Sequence, residues 1–265
     1  MKKIIGAIVL CLSCLSLTGQ NSDYITMSAL SGSRTVCSQC GVNSVFSNPA
    51  GLSQISKSFF ITTFSDDYSI HDLWNIVTGY VFKTNKGALP LTITSKGPRD
   101  CVEFGLSTGY SLELSERFYA GIMANARYFL IKDIQDEVEI SLVFGIQYRA
   151  NDKLTFGMMC ETPAVILKDR PVNYSCFVLK SAVSYYFTSS CGVSFEISKA
   201  MLLPVAFSGL FEIALSERIR LLSGYKSGAN ELFCGLSVLF PKMALMMSAS
   251  YNFMLGTTPE IGFIR

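Results

Sequence analysis

The sequence is poor in charge and in the side chains that most enzymes use. Only 16% of its 265 residues are Asp, Glu, Lys or Arg, whereas soluble domains carry about 25%. A single histidine, His71, leaves little material for general-base or metal chemistry. There is no glycine-rich phosphate loop and no calcium-loop spacing. The sequence therefore predicts a protein that is not an enzyme and that needs no metal or cofactor.

Long apolar runs are also missing after the first 20 residues, although 49% of the residues are hydrophobic and the mean hydropathy is +0.36. Without a run of about 18 apolar residues, no transmembrane helix is predicted. The formal net charge of +2 and the lack of a clustered basic stripe argue against a nucleic-acid partner. High hydropathy without an apolar run favours a membrane protein that crosses with strands.

The first 19 residues predict a secretory signal peptide. Two lysines precede an apolar stretch, residues 4–17, and a plausible cleavage site lies before Gln20. Cys14 as a lipoprotein acceptor is the alternative, but the residues before it fit that pattern poorly. Cleavage would leave 9 − 2 = 7 cysteines, an odd number that cannot pair completely. Of these seven, Cys37 and Cys40 are the only close pair. They are expected to be either a structural pair or two free thiols.

Three consecutive segments between Cys101 and Arg149 alternate apolar and polar residues. In the first segment one face carries Val102, Phe104, Leu106, Thr108, Tyr110 and Leu112, and the other carries Glu103, Gly105, Ser107, Gly109, Ser111 and Glu113. The polar faces of the next two carry Tyr119, Gly121, Asn125 and Arg127, then Glu139, Ser141, Gly145, Gln147 and Arg149. A period of two predicts strands, and these are about twice the usual length of roughly 5–6 residues. Long strands with one apolar face predict a transmembrane β-barrel whose apolar faces contact lipid.

The same pattern predicts an all-β, antiparallel up-and-down barrel of about fourteen strands over residues 58–265. The predicted strands are 58–65, 73–83, 88–94, 101–113, 117–131, 137–150, 153–160, 175–187, 190–199, 203–215, 218–226, 230–240, 242–254 and 260–265. If both termini are periplasmic, the similar turns at 114–117 and 215–218 lie on the periplasmic side. The longest connection, residues 161–174, then lies outside the cell, where longer loops belong.

Residues 20–57 differ from the barrel because they are rich in Ser, Gly, Asn and Cys and show no sustained alternation. This segment ends in a turn-rich motif that consists of Asn48, Pro49, Ala50, Gly51 and Leu52. A compact non-strand segment before a barrel is expected to lie in the lumen as a plug. The alternative is a loose periplasmic tail.

Ionisable residues on the predicted inward faces form a candidate polar network in the lumen. They are Glu103, Arg127, Glu139, Arg149, Lys180, Glu196 and Glu212. Charged groups at membrane depth must pair with each other or meet water. The network is expected either to form a charged pathway for a solute or to hold the plug and close the lumen. The mixture of signs favours the second role, and Arg127 is the residue we expect to anchor the plug.

The stretch from Ser44 to Leu52 resembles the plug motif of the long-chain fatty-acid transporter (FadL-like) superfamily of outer-membrane barrels, which includes the PorV and PorQ proteins of a secretion system. The C-terminal stretch is similar to the closing hairpins of the PorV-like branch in Leu215-Ser216-Glu217-Arg218, Ser223-Gly224-Tyr225 and Gly262-Phe263. The resemblance implies fourteen strands, a plug and a location in the bacterial outer membrane. Gln20 as first mature residue suits the Bacteroidota, where that branch is common.

The resemblance implies two candidate functions. The first is an accessory scaffold subunit of a larger outer-membrane protein secretion or assembly complex, which a Met- and Phe-rich outer face would suit. The second is a channel for uptake of a hydrophobic small molecule that leaves through a lateral gap in the wall. Gly79 or Pro90 could create such a gap because either residue weakens strand pairing. The expected partners are outer-membrane lipid, a larger membrane protein and, for the channel, a hydrophobic ligand.

Overall fold

A computed structural model describes residues 37–70, 72–98, 100–132, 137–167, 177–201 and 203–265, with only the backbone described at residues 137 and 163–167. The predicted signal peptide, the first part of the predicted plug and His71 therefore lie outside the described residues.

Fourteen antiparallel strands form one closed barrel, as the alternation predicts. They are β1 (Phe59–Asp66), β2 (Trp74–Lys83), β3 (Gly87–Lys96), β4 (Cys101–Ser115), β5 (Phe118–Ile131), β6 (Glu137–Arg149), β7 (Leu154–Leu167), β8 (Val178–Thr188), β9 (Cys191–Ala200), β10 (Ala206–Ala214), β11 (Ile219–Lys226), β12 (Glu231–Phe240), β13 (Met243–Asn252) and β14 (Gly256–Ile264). Each strand pairs with its sequence neighbours, and β1 pairs with β14, with Ile61 opposite Ile264. Closure leaves no unpaired sheet edge.

Apolar side chains lie on the outer surface of the barrel and polar side chains lie inside it, which is the reverse of a soluble protein. Phe104 and Leu106 on β4 are 45% and 49% exposed on the outer surface. Ser111 on the same strand is buried, and so is Gln147 on β6, which is only 1% exposed. Because lipid rather than water surrounds the outer face, apolar residues belong outside and polar residues belong in the lumen. The described residues contain no helix that is long and apolar enough to cross a membrane.

The two ends of the barrel differ in their connections. At the end where β1 begins and β14 finishes, here called the terminal end, the links are residues 84–86, 116–117, 150–153, 189–190, 215–218 and 241–242. At the opposite, far end, the links include residues 67–73 and 168–177. The predicted turns at 114–117 and 215–218 thus lie together at the terminal end, and the longest link lies at the far end.

Two strands extend four or more residues beyond their predicted limits. Strand β7 continues to Leu167, whereas the interpretation of residues 161–174 as a loop ended it at 160. Pro163 lies within this extension, and a register shift between Ile140 and Ser141 leaves Ala164 unpaired and accommodates the proline. Strand β14 likewise begins at Gly256 rather than at 260, with Pro259 paired within the sheet opposite Ala249.

The hydrogen-bond ladder is interrupted between β3 and β4. Pairing passes from Ala88–Ser111 directly to Leu91–Thr108, so that Leu89 and Pro90 are unpaired on this side. The missing N–H of Pro90 accounts for the break. Gly79, in contrast, pairs normally with Thr92, whose side chain would lie 2.6 Å from a Cβ at position 79. Of the two predicted weak points, the interruption therefore lies beside Pro90.

The described part of the N-terminal segment, residues 37–57, contains two short 3-10 helices, Gly41–Phe46 and Pro49–Gln54. We call these residues the inner segment, because their contacts are with lumen-facing side chains. Its apolar residues pack against β1–β3, β13 and β14 in one buried cluster. The cluster consists of Val42, Val45, Leu52, Ile55, Phe59, Ile61, Val81, Ala88, Ala244, Met246 and Ile264.

Candidate functional site in the barrel interior

The inner segment is anchored to the wall chiefly through Asn48, which is fully buried. The Asn48 side-chain amide donates to the carbonyl oxygens of Cys37 at 2.8 Å, Ile146 at 3.0 Å and Met158 at 3.2 Å. Its Oδ1 accepts the backbone N–H of Ala50 at 3.0 Å, which caps the second 3-10 helix. The residue predicted as the start of the plug motif thus joins the inner segment to β6 and β7.

Glycines on three adjacent strands allow this close approach. A Cβ at Gly121 would lie 2.6 Å from the Pro49 carbonyl carbon, and one at Gly145 would lie 1.9 Å from Asn48 Oδ1. A Cβ at Gly157 would lie 2.0 Å from the Cys37 carbonyl oxygen. Side chains at these positions would force the backbone of the inner segment away from the wall.

Polar side chains of the wall complete the attachment. Gln147 Nε2 donates to the Gln39 carbonyl oxygen at 2.6 Å, and Gln147 Oε1 accepts from Gln54 Nε2 at 2.9 Å. Arg149 Nη2 donates to Gln54 Oε1. Lys83 Nζ donates to the Ser53 carbonyl oxygen at 2.8 Å. Arg149, one of the predicted lumen residues, therefore contacts the inner segment directly.

Cys37 lies where the inner segment meets β7 to β9. Its backbone N–H donates to Glu196 Oε2 at 2.7 Å, and its thiol donates to the Gly157 carbonyl oxygen at 3.3 Å. Glu196 Oε1 in turn lies 3.8 Å from Lys180 Nζ. Burial and the nearby Glu196 carboxylate raise the pKa of the Cys37 thiol well above its ordinary value. Two predicted lumen residues, Lys180 and Glu196, thus form one ion pair that also holds the backbone of Cys37.

Beyond the inner segment, toward the far end, the lumen is lined by apolar side chains. We call this layer the apolar belt, and its seven members are all at most 8% exposed. They are Met123, Val143, Met159, Ala182, Leu210, Leu222 and Phe233, which form one buried cluster with Cys37. Such a layer is unusual because the interior of an aqueous porin is polar. Ions cannot pass favourably through such a layer, because it offers them no polar partner.

A charged layer lies further toward the far end, beyond Asn125 and Ser141. Arg127 Nη2 donates to Glu139 Oε1 at 3.2 Å and lies 3.9 Å from Glu161 Oε1. We expected Arg127 to anchor the N-terminal segment, but its ion-pair partners in the described structure are these two carboxylates. Its place on β5, beyond the apolar belt, explains why it does not make the contact with Gln54 that Arg149 makes.

The remaining predicted lumen residues, Glu212 and Glu103, make no hydrogen bond or ion pair with the described inner segment. Glu212 Oε1 accepts from Arg220 Nη1 at 3.4 Å inside the barrel, a partner that the sequence analysis missed. Glu103 makes no ion pair or hydrogen bond with any residue that the structure describes. Within the same described part of the chain, no group of His, Cys, Asp and Glu could hold a metal ion.

The apolar belt left a signal in the sequence that the analysis did not use. On β5 and β6 the polar face is broken at Met123 and Val143, and the structure places these two residues directly opposite each other. Met159 breaks the polar face of β7 in the same way. Coinciding breaks on neighbouring strands mark a layer of the lumen, but only the register between strands reveals the coincidence.

Comparison with solved structures finds the same fold in other bacterial proteins. The toluene transporter TodX of Pseudomonas putida matches with a TM-score of 0.66 and 11% identity, over 93% of this chain and 98% of that one. A FadL homologue of Pseudomonas aeruginosa matches with a TM-score of 0.54 and 9% identity, over 94% and 97% of the two chains. The outer membrane protein Omp33 of Acinetobacter baumannii matches with a TM-score of 0.53 and 6% identity, over 78% and 96%.

No protein-family model and no curated protein matches the sequence. At identities this low, the structural matches establish the fold and do not single out the PorV and PorQ branch. The chain therefore shares the fold of these proteins, and its own barrel is closed and has fourteen strands.

Proposed function

We propose that this protein is a channel for a small hydrophobic molecule in the bacterial outer membrane. The observation that carries the proposal is the apolar belt, which lines the lumen where a channel for hydrophilic solutes would be polar. Met, Leu and Phe side chains favour an apolar molecule that leaves water, at roughly 25 cal/mol per Å² of buried apolar surface. The belt binds such a molecule and is a barrier to ions.

The solute enters at the far end and leaves sideways beside Pro90, because the inner segment closes the terminal end. The interrupted β3–β4 ladder supports this route. The second 3-10 helix lies behind β4 there, since Ser111 Oγ donates to the Ala50 carbonyl oxygen at 3.1 Å. Residues 20–57 then serve as a plug, residues 1–19 as the signal peptide, and both termini face the periplasm, as the short turns at the terminal end favour.

The accessory-subunit hypothesis has less support. The neighbours include proteins described as a toluene transporter and a FadL homologue, and none of those described above is a secretion or assembly subunit. The channel is therefore the function that we propose.

Uptake by whole cells tests this function. The protein is expressed in the outer membrane of a bacterium that lacks other channels for hydrophobic solutes, and entry of radiolabelled toluene is compared with entry of a radiolabelled disaccharide. We expect faster entry of toluene than in cells with an empty vector, and unchanged entry of the sugar. Toluene entry equal to that of the vector control, together with stoichiometric co-purification of a larger barrel in mild detergent, would instead favour the scaffold.

A further inference from the structure

A chain of polar side chains lies on β5 to β7, two residues along each strand from the apolar belt toward the far end. Asn125 Nδ2 donates to Ser141 Oγ at 3.3 Å, and Ser141 Oγ donates to Glu161 Oε1 at 2.9 Å. Met123 and Val143 of the belt are the next lumen-facing residues below Asn125 and Ser141. These polar groups therefore border the belt on its far-end side.

The hydrogen-bond chain fixes which way the Asn125 amide points. A carboxylate only accepts hydrogen bonds, so the single hydroxyl proton of Ser141 is directed to Glu161. Ser141 Oγ can then only accept from Asn125, which must turn its NH₂ group toward the serine. Its Oδ1 consequently points elsewhere, and it is buried without a hydrogen-bond partner among the residues that the structure describes. A buried acceptor left over beside a binding layer has an explanation if the ligand supplies the donor.

The charge of this layer is unfavourable for an anion. Arg127 is shared between Glu139 at 3.2 Å and Glu161 at 3.9 Å, so one cation faces two carboxylates. Lys180, the next cation along the wall, is paired with Glu196. A carboxylate on the far-end side of the belt would lie near the Glu161 carboxylate, and Arg127 and Lys180 each already have a carboxylate partner.

We propose, on the basis of the channel function given above, that the transported molecule is amphipathic, with a small apolar body and a neutral hydrogen-bond donor such as a hydroxyl group. The body lies in the apolar belt, and the hydroxyl donates to Asn125 Oδ1. The chain of polar groups makes the far side of the belt selective for a donor over an acceptor or an anion.

Equilibrium binding to the purified full-length protein in detergent tests this selectivity with four probes that share a methylphenyl body. They are p-cresol, which carries a donor, 4-methylanisole, which carries only an acceptor, toluene, which carries neither, and p-toluate, which is an anion. We expect p-cresol to bind about fivefold to tenfold more tightly than 4-methylanisole, because one additional hydrogen bond changes the affinity by about this factor. We expect p-toluate to bind most weakly.

A pair of variants assigns the preference to one residue. Asn125→Leu should remove the preference for p-cresol and leave toluene binding within about twofold, since it replaces the acceptor by apolar surface. Asn75→Leu is the matched control, because Asn75 Oδ1 is also buried without a hydrogen-bond partner among the described residues. Asn75 lies at the far end of the barrel, opposite Ser65 and Lys96 on the neighbouring strands. It should leave the preference intact.

The outcomes separate the two proposals. Equal binding of p-cresol and 4-methylanisole by the wild-type protein would overturn the donor selectivity while toluene binding upheld the channel. Loss of toluene binding in Asn125→Leu would overturn the assignment to Asn125. Failure of the wild-type protein to bind any of the four probes would count against the channel function itself.

Discussion

Asn48 and Gly145 are in such close contact that position 145 has no room for a side chain. A Cβ at Gly145 would lie 1.9 Å from Asn48 Oδ1 and 3.0 Å from Pro49 Cδ. Because Asn48 is also hydrogen-bonded to the carbonyl oxygens of Ile146 and Met158, the inner segment and the β6–β7 wall form one packed unit. Displacement of either part must disturb the other.

Gly145→Ala is expected to lower the free energy of unfolding by about 1–3 kcal/mol, because the added methyl group overpacks this contact. Gly209→Ala is the control, since a Cβ at Gly209 would have no neighbouring atom within 4 Å. Urea unfolding of both variants in lipid vesicles measures the difference. Equal stability of the two alanine variants would contradict the packed contact.

Substitution of Asn48 is expected to be more damaging with Asp than with Ala. Asn48→Ala loses the amide bonds to three carbonyl oxygens and should destabilise the protein by about 1–3 kcal/mol. Asn48→Asp keeps the acceptor for Ala50 N–H but turns a buried carboxylate toward those same oxygens. The same urea experiment ranks the variants, and an Asp variant as stable as the wild-type protein would refute this account of Asn48.

Arg149 rather than Arg127 is expected to hold the inner segment in place. Arg149→Ala removes the donor to Gln54 and should increase protease cleavage within residues 37–57 about threefold to tenfold. Arg127→Ala should leave cleavage there unchanged, because its described ion-pair partners are Glu139 and Glu161. Limited proteolysis followed by mass spectrometry of the fragments distinguishes the two. Faster cleavage in Arg127→Ala alone would support the original sequence-based expectation instead.

The sequence predicted the barrel well because lipid and lumen impose a period of two on every strand. Fourteen strands, their order and the two kinds of connection all follow from local alternation and turn residues. Strand β7 was predicted too short, with residues 161–174 as a loop, whereas the strand continues through Pro163 to Leu167. The bulge that accommodates the proline depends on the partner strand β6, which local reasoning cannot supply.

The interior was predicted less well because it depends on which residues of distant strands share a layer. Lys180 and Glu196 are separated in sequence but adjacent in the lumen, and the same is true of Cys37 and Glu196. The apolar belt consists of single exceptions to the polar pattern, one on each of seven strands. A single apolar residue on the polar face of one strand gives no signal by itself. Only the register between the strands shows that these residues share one layer.

The Cys37 thiol is expected to stay unreactive at a pH where an ordinary thiol, with a pKa of about 8.5, is largely ionised. Burial raises the pKa of the Cys37 thiol in the folded protein, so the thiol stays neutral there. The contribution of the neutral thiol to folding stability is lost only as the pH rises above the ordinary pKa of a thiol. At pH 9, alkylation of a variant that keeps only Cys37 should be about 100-fold slower than that of one that keeps only the exposed Cys101.

Denaturant should abolish this difference, because both thiols are then ionised alike. Equal alkylation rates in the folded protein would mean that Cys37 is not buried beneath the apolar belt.

If the apolar belt carries the solute, a polar substitution at Met159 should impair uptake, whereas the same substitution at its neighbour Met158 should not. Met159 is buried in the belt, whereas Met158 is 43% exposed on the outer face of the same strand. Toluene uptake by cells that produce equal amounts of folded protein is measured for Met159→Gln and Met158→Gln. A polar group in the belt should slow uptake by about tenfold, and the outer substitution should leave it near the wild-type rate. Equal uptake by the two variants would contradict passage of the solute through the belt.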